Sequence, residues 1–236
     1  MDDLQRDAAG IGALADPVRH QLYQFVCSQP VAVSREQAAD AVGIPHHQAK
    51  FHLDRLTAEG LLDTEYARLT GRSGPGAGRT AKLYRRAGRD IAVSLPQREY
   101  ELAGRLMAAA IARSANTGEP VVEVLNRIAH DYGHTIGATA ANRPPADAAA
   151  ALQLALGVLS RYGYEPRRSD REIELANCPF HALAQVQTEL ACNMNHALIS
   201  GVADALAPYG PQVRLKPGPA RCCVVLQRRA ARTSTR

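Results

Sequence analysis

Apolar residues recur at helical spacing in the first third of the chain. From Asp16 to Ser28 they fall at Val18, Leu22, Tyr23, Phe25 and Val26, with Pro17 placed to be the first helical residue. Ser34-Arg-Glu-Gln37 is a capping box, and Ala38, Ala41 and Val42 give the helix it opens an inner face. Gly43-Ile44-Pro45 breaks the pattern. It resumes from Pro45 as a third helix with the stripe Ala49, Leu53, Leu56 and, just beyond, Leu61; Gly60 is the stop. Leu61–Ala67 and Thr80–Arg86 alternate as strands around a glycine-rich tip, Gly74-Pro-Gly-Ala-Gly78. Helix, turn, helix and basic hairpin in this order predict a winged helix-turn-helix over 34–89, within a domain at 10–90.

Arg89–Gln97 reads as a connection, with Pro96 ahead of a new helix. Three Ala- and Leu-rich helices follow at about 98–113, 119–141 and 146–161, the last two separated by Asn142-Arg-Pro-Pro145. Strands are expected near Tyr164–Arg168, Arg171–Ala176 and Arg221–Gln227. One long helix is expected over His181–Ala207, with the stripe Leu183, Val186, Leu190, Ala197, Leu198, Gly201 and Leu206. The fold class is therefore α+β, mainly α: an N-terminal winged helix-turn-helix and a C-terminal α/β effector domain at 96–230.

Charge sharpens this picture. The 236 residues carry a formal net charge of +5, unevenly spread. Residues 64–89 hold seven Lys or Arg against one acid, Glu65, and Ala220–Arg236 holds five Arg and no acid. An acidic partner such as nucleic acid is implied. Hydrophobic content of 46% fits a globular chain, and no apolar run reaches the length of a membrane span. The opening Met-Asp-Asp-Leu-Gln-Arg-Asp lacks the build of a signal peptide, so the expectation is a cytoplasmic protein.

On the third helix His46, His47, Gln48, Lys50, Phe51, Asp54 and Arg55 lie off the apolar stripe. The first turn of such a helix reaches base edges; Gln48 suits adenine, and Lys50 or Arg55 suits guanine or phosphate. Arg68, Arg72, Arg79 and Lys82 of the hairpin suit backbone contacts, which add affinity with little sequence choice. His52 is assigned to helix packing. The competing explanation is a merely solvated helix face. Leu14-Ala-Asp-Pro-Val-Arg-His-Gln-Leu22, His52-Leu-Asp-Arg-Leu-Thr-Ala-Glu-Gly-Leu-Leu62 and Gly74-Pro-Gly-Ala-Gly-Arg-Thr-Ala-Lys-Leu-Tyr84 resemble the ArsR-like winged-helix transcriptional regulators. That resemblance implies a homodimer on a near-palindromic site in double-stranded DNA.

Four of the five cysteines lie after residue 177: Cys178 in Asn-Cys-Pro-Phe, Cys192 on the long helix, and Cys222 and Cys223 on the last strand. Gaps of thirteen and twenty-nine residues are not those of a zinc ribbon; they suit a site assembled by folding. Cys192 lies about 200° around the axis from Leu190, on a face shared with Gln185, Glu189 and His196. Strand alternation lets only one of Cys222 and Cys223 join Cys178 and Cys192. Three thiolates with His181, His196 or the spare cysteine as fourth ligand would suit a cubane iron–sulfur cluster or a zinc ion. Four small buried cysteines without a ligand are the alternative, and Cys27 is read as a small core residue.

Cys178-Pro-Phe, Leu190-Ala-Cys-Asn-Met194, Gly201 and the cysteine of the final strand resemble the regulator family that includes the iron–sulfur-cluster-binding repressor SufR. The resemblance implies a cluster, of the 4Fe-4S type, on Cys178, Cys192 and either Cys222 or Cys223. The doubled cysteine and nearby histidines depart from the pattern and leave zinc open. The same half also faintly resembles vinyl-reductase-type domains, which implies a small hydrophobic organic effector, or a carrier or enzyme with secondary DNA contact. His130 and His134 have a spacing that can hold zinc but lack the Glu of a metalloprotease motif, and are read as surface or interface residues. No catalytic grouping is visible, so a non-enzymatic regulator is expected.

Overall fold

The structure, a computed structural model, describes residues 3–67, 80–169, 172–218 and 221–228. It divides into two compact units, Met1–Val93 and Ser94–Arg236. The architecture is α+β and mainly α.

In the first unit α1 (Asp3–Ala13) precedes α2 (Pro17–Ser28). The Asp16 carboxylate caps α2 by accepting from the Arg19 amide at 2.9 Å, and Pro17 fills the first helical position, where its missing N–H is not needed. β1 (Val33–Ser34) runs straight into α3 (Arg35–Val42), which is closed by the predicted capping box of Ser34 and Gln37. Gly43 ends α3 in the left-handed region, φ 75°, a conformation that favours glycine. Ala38 and Ala39 face inwards, whereas Ala41, expected on the inner face, is exposed. α4 (His46–Ala58) buries Ala49, Leu53 and Leu56 completely. β2 (Leu62–Ala67) and β3 (Ala81–Arg86) form the wing, and β3 is central in the antiparallel order β1-β3-β2. Tyr84 is therefore opposite both Val33 and Thr64. It joins Leu22, Val26, Leu53, Leu56 and Leu62 in the core. The hairpin tip, residues 68–79, lies outside the described residues.

The second unit contains α5 (Tyr100–Thr117), α6 (Val121–Ala141), α7 (Ala148–Arg161), β4 (Pro166–Arg168), β5 (Ile173–Leu175), α8 (His181–Val186), α9 (Thr188–Asp204), β6 (Gln212–Leu215) and β7 (Val224–Gln227). Its sheet is antiparallel in the order β4-β5-β7-β6, with Leu226 of β7 opposite both Ile173 and Val213. Leu102, Leu106, Val124, Leu125, Leu159, Phe180, Leu198 and Ile199 from the helices share a core with Leu175, Val224 and Leu226 from the sheet.

The long helix expected from His181 to Ala207 is two helices. Gln187 leaves the helical region, at φ −134° and ψ 71°, and caps α8 through its amide to the Leu183 carbonyl at 2.8 Å. The break re-aims the first segment, so Val186, expected on the core stripe, is 78% exposed. Beyond the break α9 meets α6 backbone to backbone. A Cβ on Gly133 would overlap the Leu198 carbonyl, and one on Gly201 would overlap the His130 carbonyl.

This contact predicts opposite outcomes for glycines in the same unit. Gly201→Val should overpack the α6–α9 seam and destabilise by at least about 1–3 kcal/mol, lowering Tm by several degrees. Gly157→Ala, in α7 where an added Cβ meets nothing within 4 Å, should be neutral or stabilise by up to about 1 kcal/mol. Thermal melts of the two variants check both signs.

Candidate nucleic-acid interface and cysteine centre

The burial of Ala49, Leu53 and Leu56 fixes which way α4 faces. His46, His47, Lys50, Phe51 and Arg55 are exposed, and Gln48 is half-buried. His52 is buried on the inner side with its Nδ1 unpartnered, away from any position suited to reading bases.

The cations of this face are not equally free. Asp54, one turn after Lys50, accepts from Lys50 Nζ at 2.9 Å and from Lys82 Nζ of β3 at 2.6 Å. The Tyr84 hydroxyl donates to the same carboxylate at 3.1 Å, and the Lys82 ammonium lies 5.1 Å from the Tyr84 ring centroid. Partial burial pushes the Asp54 carboxyl upwards, but hydrogen bonds from Lys82, Lys50 and Tyr84 together outweigh it and hold the pKa at about 2. Burial, then the Asp54 charge, drives the Tyr84 phenol well above its ordinary value. Lys50 and Lys82, both expected to contact DNA, are thus already paired: Lys82 ties the wing to α4, and Lys50 holds the same carboxylate from within the helix. Arg55 pairs with Glu59 at 2.6 Å and His46 with Asp40 at 3.3 Å. The cationic partner of each pair is exposed, and surface pairs contribute about 0–1 kcal/mol, little enough for a phosphate to displace the carboxylate. Arg68, Arg72 and Arg79 lie outside the described residues.

The sequence grouped Asp54 with the outward polar residues and missed its role. The Lys50–Asp54 spacing of four was a local signal; the link to Lys82 and Tyr84 comes only from the sheet register.

In the second unit Cys178 follows β5, Cys192 is on α9, and Cys222 and Cys223 precede β7. The Cys222 amide donates to the Leu175 carbonyl at 2.8 Å, which holds it beside β5. Cys178 and Cys222 are both buried, and their sulfurs share a hydrogen bond. That bond, aided by the Phe180 amide and the Arg98 charge against the opposing effect of burial, holds the Cys178 thiol below its ordinary value. Cys222 is driven up correspondingly, by donating to Cys178 and by burial. Arg98 Nη1 donates to the Asn177 side chain and to the Cys178 carbonyl, both at 2.7 Å. Asn195 of α9, fully buried, donates to Cys222 Sγ at 3.1 Å and accepts from the Tyr164 hydroxyl. Nothing in the sequence pattern singled out Tyr164, Asn195 or Arg98.

Cys192 and Cys223 form a disulfide, with Cα atoms 6.5 Å apart. Cys222 and Cys223, expected on the last strand, precede β7, which begins at Val224, and each finds its own partner. The single three-cysteine site divides into two pairs. His181 is the exposed first residue of α8, and His196 is half-buried on α9. Among the described residues no group of three His, Cys, Asp or Glu is arranged to hold a metal ion. Thiols with N–H donors nearby are the right chemistry for a soft metal or cluster. The arrangement does not fit a three-thiolate cradle while Cys192 is bonded to Cys223. His130, the other metal candidate, bonds Asp204 through Nε2 at 3.0 Å.

Residues 14–65 match a protein family described as a helix-turn-helix domain. No curated protein matches the chain. The match spans α2 to β2 and bears on the first unit alone. With the exposed face of α4 it defines that unit as a helix-turn-helix domain, an arrangement that presents its second helix to the major groove. Among the described residues no helix is long and apolar enough to cross a membrane.

Asp54→Asn should loosen the wing strand from α4, costing about 1–2 kcal/mol at neutral pH once solvent screening is allowed for. The carboxyl is depressed in the folded state, so its stabilisation is complete above the unfolded value near 4 and disappears as pH falls towards 2. Denaturant titrations across that range should show the gap between wild type and variant closing at the acid end.

Proposed function

We propose that the protein is a homodimeric, DNA-binding transcriptional regulator of the ArsR-like kind, whose operator affinity is set by its C-terminal cysteines. The observation that carries the reading is the two-faced α4. It buries Ala49, Leu53 and Leu56 and exposes His47, Phe51 and Arg55 inside a segment that matches a helix-turn-helix domain. In this reading His46, His47 and Gln48 approach base edges from the first turn. Arg55, with Lys50, Lys82, Arg68, Arg72 and Arg79, meets phosphates or guanine. Exposed Ile111 of α5 and Val121 and Val122 of α6 are apolar surface suited to a two-fold interface, which would hold two winged helices about one DNA turn apart.

The signal, on this proposal, is an iron–sulfur cluster of the 4Fe-4S type or a zinc ion held by Cys178, Cys192 and one of Cys222 and Cys223. The depressed Cys178 thiol and the N–H donor on Cys222 support it. The Cys192–Cys223 bond has to be reduced before either sulfur is available as a ligand. Effector binding then changes operator affinity by a coupling free energy, typically about 1–3 kcal/mol.

Gel-shift titrations at two salt concentrations test the DNA half. Gln48→Ala and Arg55→Ala should each cost about 1–3 kcal/mol on the specific site and relax base preference. Arg72→Ala and Arg79→Ala should weaken all sequences alike and flatten the salt slope. Wing variants that lost only sequence preference would reverse these roles.

Metal analysis and absorbance after anaerobic purification test the signal. Metal or cluster content should require prior reduction, vanish in Cys178→Ser and Cys192→Ser, and survive in Cys27→Ser. Content unchanged in the first two variants would remove the cysteine centre from the mechanism.

A further inference from the structure

Phe51 is 66% exposed, in the middle of the outward face of α4, one turn after His47 and one turn before Arg55. The helix does not need it for its own core, since Ala49, Leu53 and Leu56 supply the buried stripe. Its described ring contact is edge-on to the adjacent His52, with centroids 5.3 Å apart at 72°, which leaves most of the ring open. Among the described residues, the other large exposed apolar side chains of this unit, Leu4, Ile11, Val31 and Tyr66, all lie off α4. A large apolar ring at the centre of an otherwise polar and cationic helix face calls for an apolar group on the surface that this face meets. The base edges of the major groove carry one such group, the C5-methyl of thymine.

We propose that Phe51 reads a thymine methyl from the middle of α4, so that the operator requires thymine at the base step beneath it. The inference rests on α4 being the recognition helix. It adds an apolar specificity contact to the polar ones from His47, Gln48 and Arg55. Polar groups could be matched by several bases through rearrangement or bridging water; a ring packed on a methyl discriminates by shape and desolvation, and uracil offers it nothing.

The test uses the full-length protein under reducing conditions. A binding site is selected from a random duplex pool. Each thymine of that site is then replaced singly by deoxyuridine, which keeps the Watson–Crick and groove hydrogen-bonding groups and removes only the methyl. Affinities are measured by fluorescence anisotropy for wild type, Phe51→Ala and Phe51→Leu, with circular-dichroism melts to confirm that the exposed substitutions leave the fold intact. One thymine, with its symmetry mate, should lose about fourfold in affinity per methyl for wild type, the ratio that about 0.8 kcal/mol corresponds to. The same replacement should leave Phe51→Ala unchanged, because the partner of the methyl is already gone. Phe51→Leu should respond in between.

Deoxyuridine effects that are identical in wild type and Phe51→Ala would overturn the proposal, as would wild-type affinity and preference in Phe51→Ala. A fall from dimer to monomer in Phe51→Ala by light scattering would assign the ring to a second copy of the chain instead. If selection yields no preferred site and binding is purely salt-dependent, the recognition-helix reading itself fails, and this inference with it.

Discussion

The second unit depends on a place where two helices have no side chains between them. Gly133 of α6 lies against the Leu198 carbonyl, and Gly201 of α9 against the His130 carbonyl. Helices normally pack 8–10 Å apart with side chains setting the separation; here backbone meets backbone. That approach fixes the depth and rotation of α9. From α9 come Met194, Leu198 and Ile199 of the core, Asn195 at the Cys222 sulfur, and Cys192. The geometry of the cysteines is thus inherited from two hydrogen atoms standing where methyl groups would otherwise be.

The first unit is organised differently. Its helices are stopped and started locally, by Asp16 and Pro17, by Ser34 and Gln37, and by Gly43. Among its long-range polar junctions is the Asp54 carboxylate with Lys82 and Tyr84, to which Lys50 adds a local bond. β3 is tied to α4 by that cluster and by the burial of Tyr84, so the helix and the wing are held as one surface. Asp54, on the outward side of α4, thus serves the shape of that surface.

What the sequence revealed follows the range of the forces involved. Caps, turns and the Ala49–Leu53–Leu56 stripe are local, and they placed α2, α3, α4 and both wing strands to within a residue or two. α5, α6 and α7 followed from composition and from Asn142-Arg-Pro-Pro145. The two-residue β1 was illegible because its strand character comes from pairing with Leu83 and Tyr84, not from any pattern of its own. β6 was missed for the same reason, its partner being β7. The break at Gln187 carries no proline or glycine, so periodicity ran through it and put Val186 on the wrong side. For the cysteine centre, the sequence put Cys222 and Cys223 on the last strand, whereas β7 begins after them, at Val224. The pattern could not say that Cys223 has a partner of its own, because that depends on where α9 rests against the sheet. Tyr164, Asn195 and Arg98 are ordinary residues until the fold brings them to the sulfurs.

The doubled cysteine has one further consequence, for how the chain tolerates change. Cys222 and Cys223 stand side by side, yet each answers to a different sulfur, Cys178 for the first and Cys192 for the second. A slip of one residue along β5 would bring Arg221 to the place of Cys222, or Val224 to the place of Cys223, and one pair would be lost either way. The segment ahead of β7 therefore has no slack in its register, and two adjacent letters of the sequence act as a ruler for where the last strand must begin.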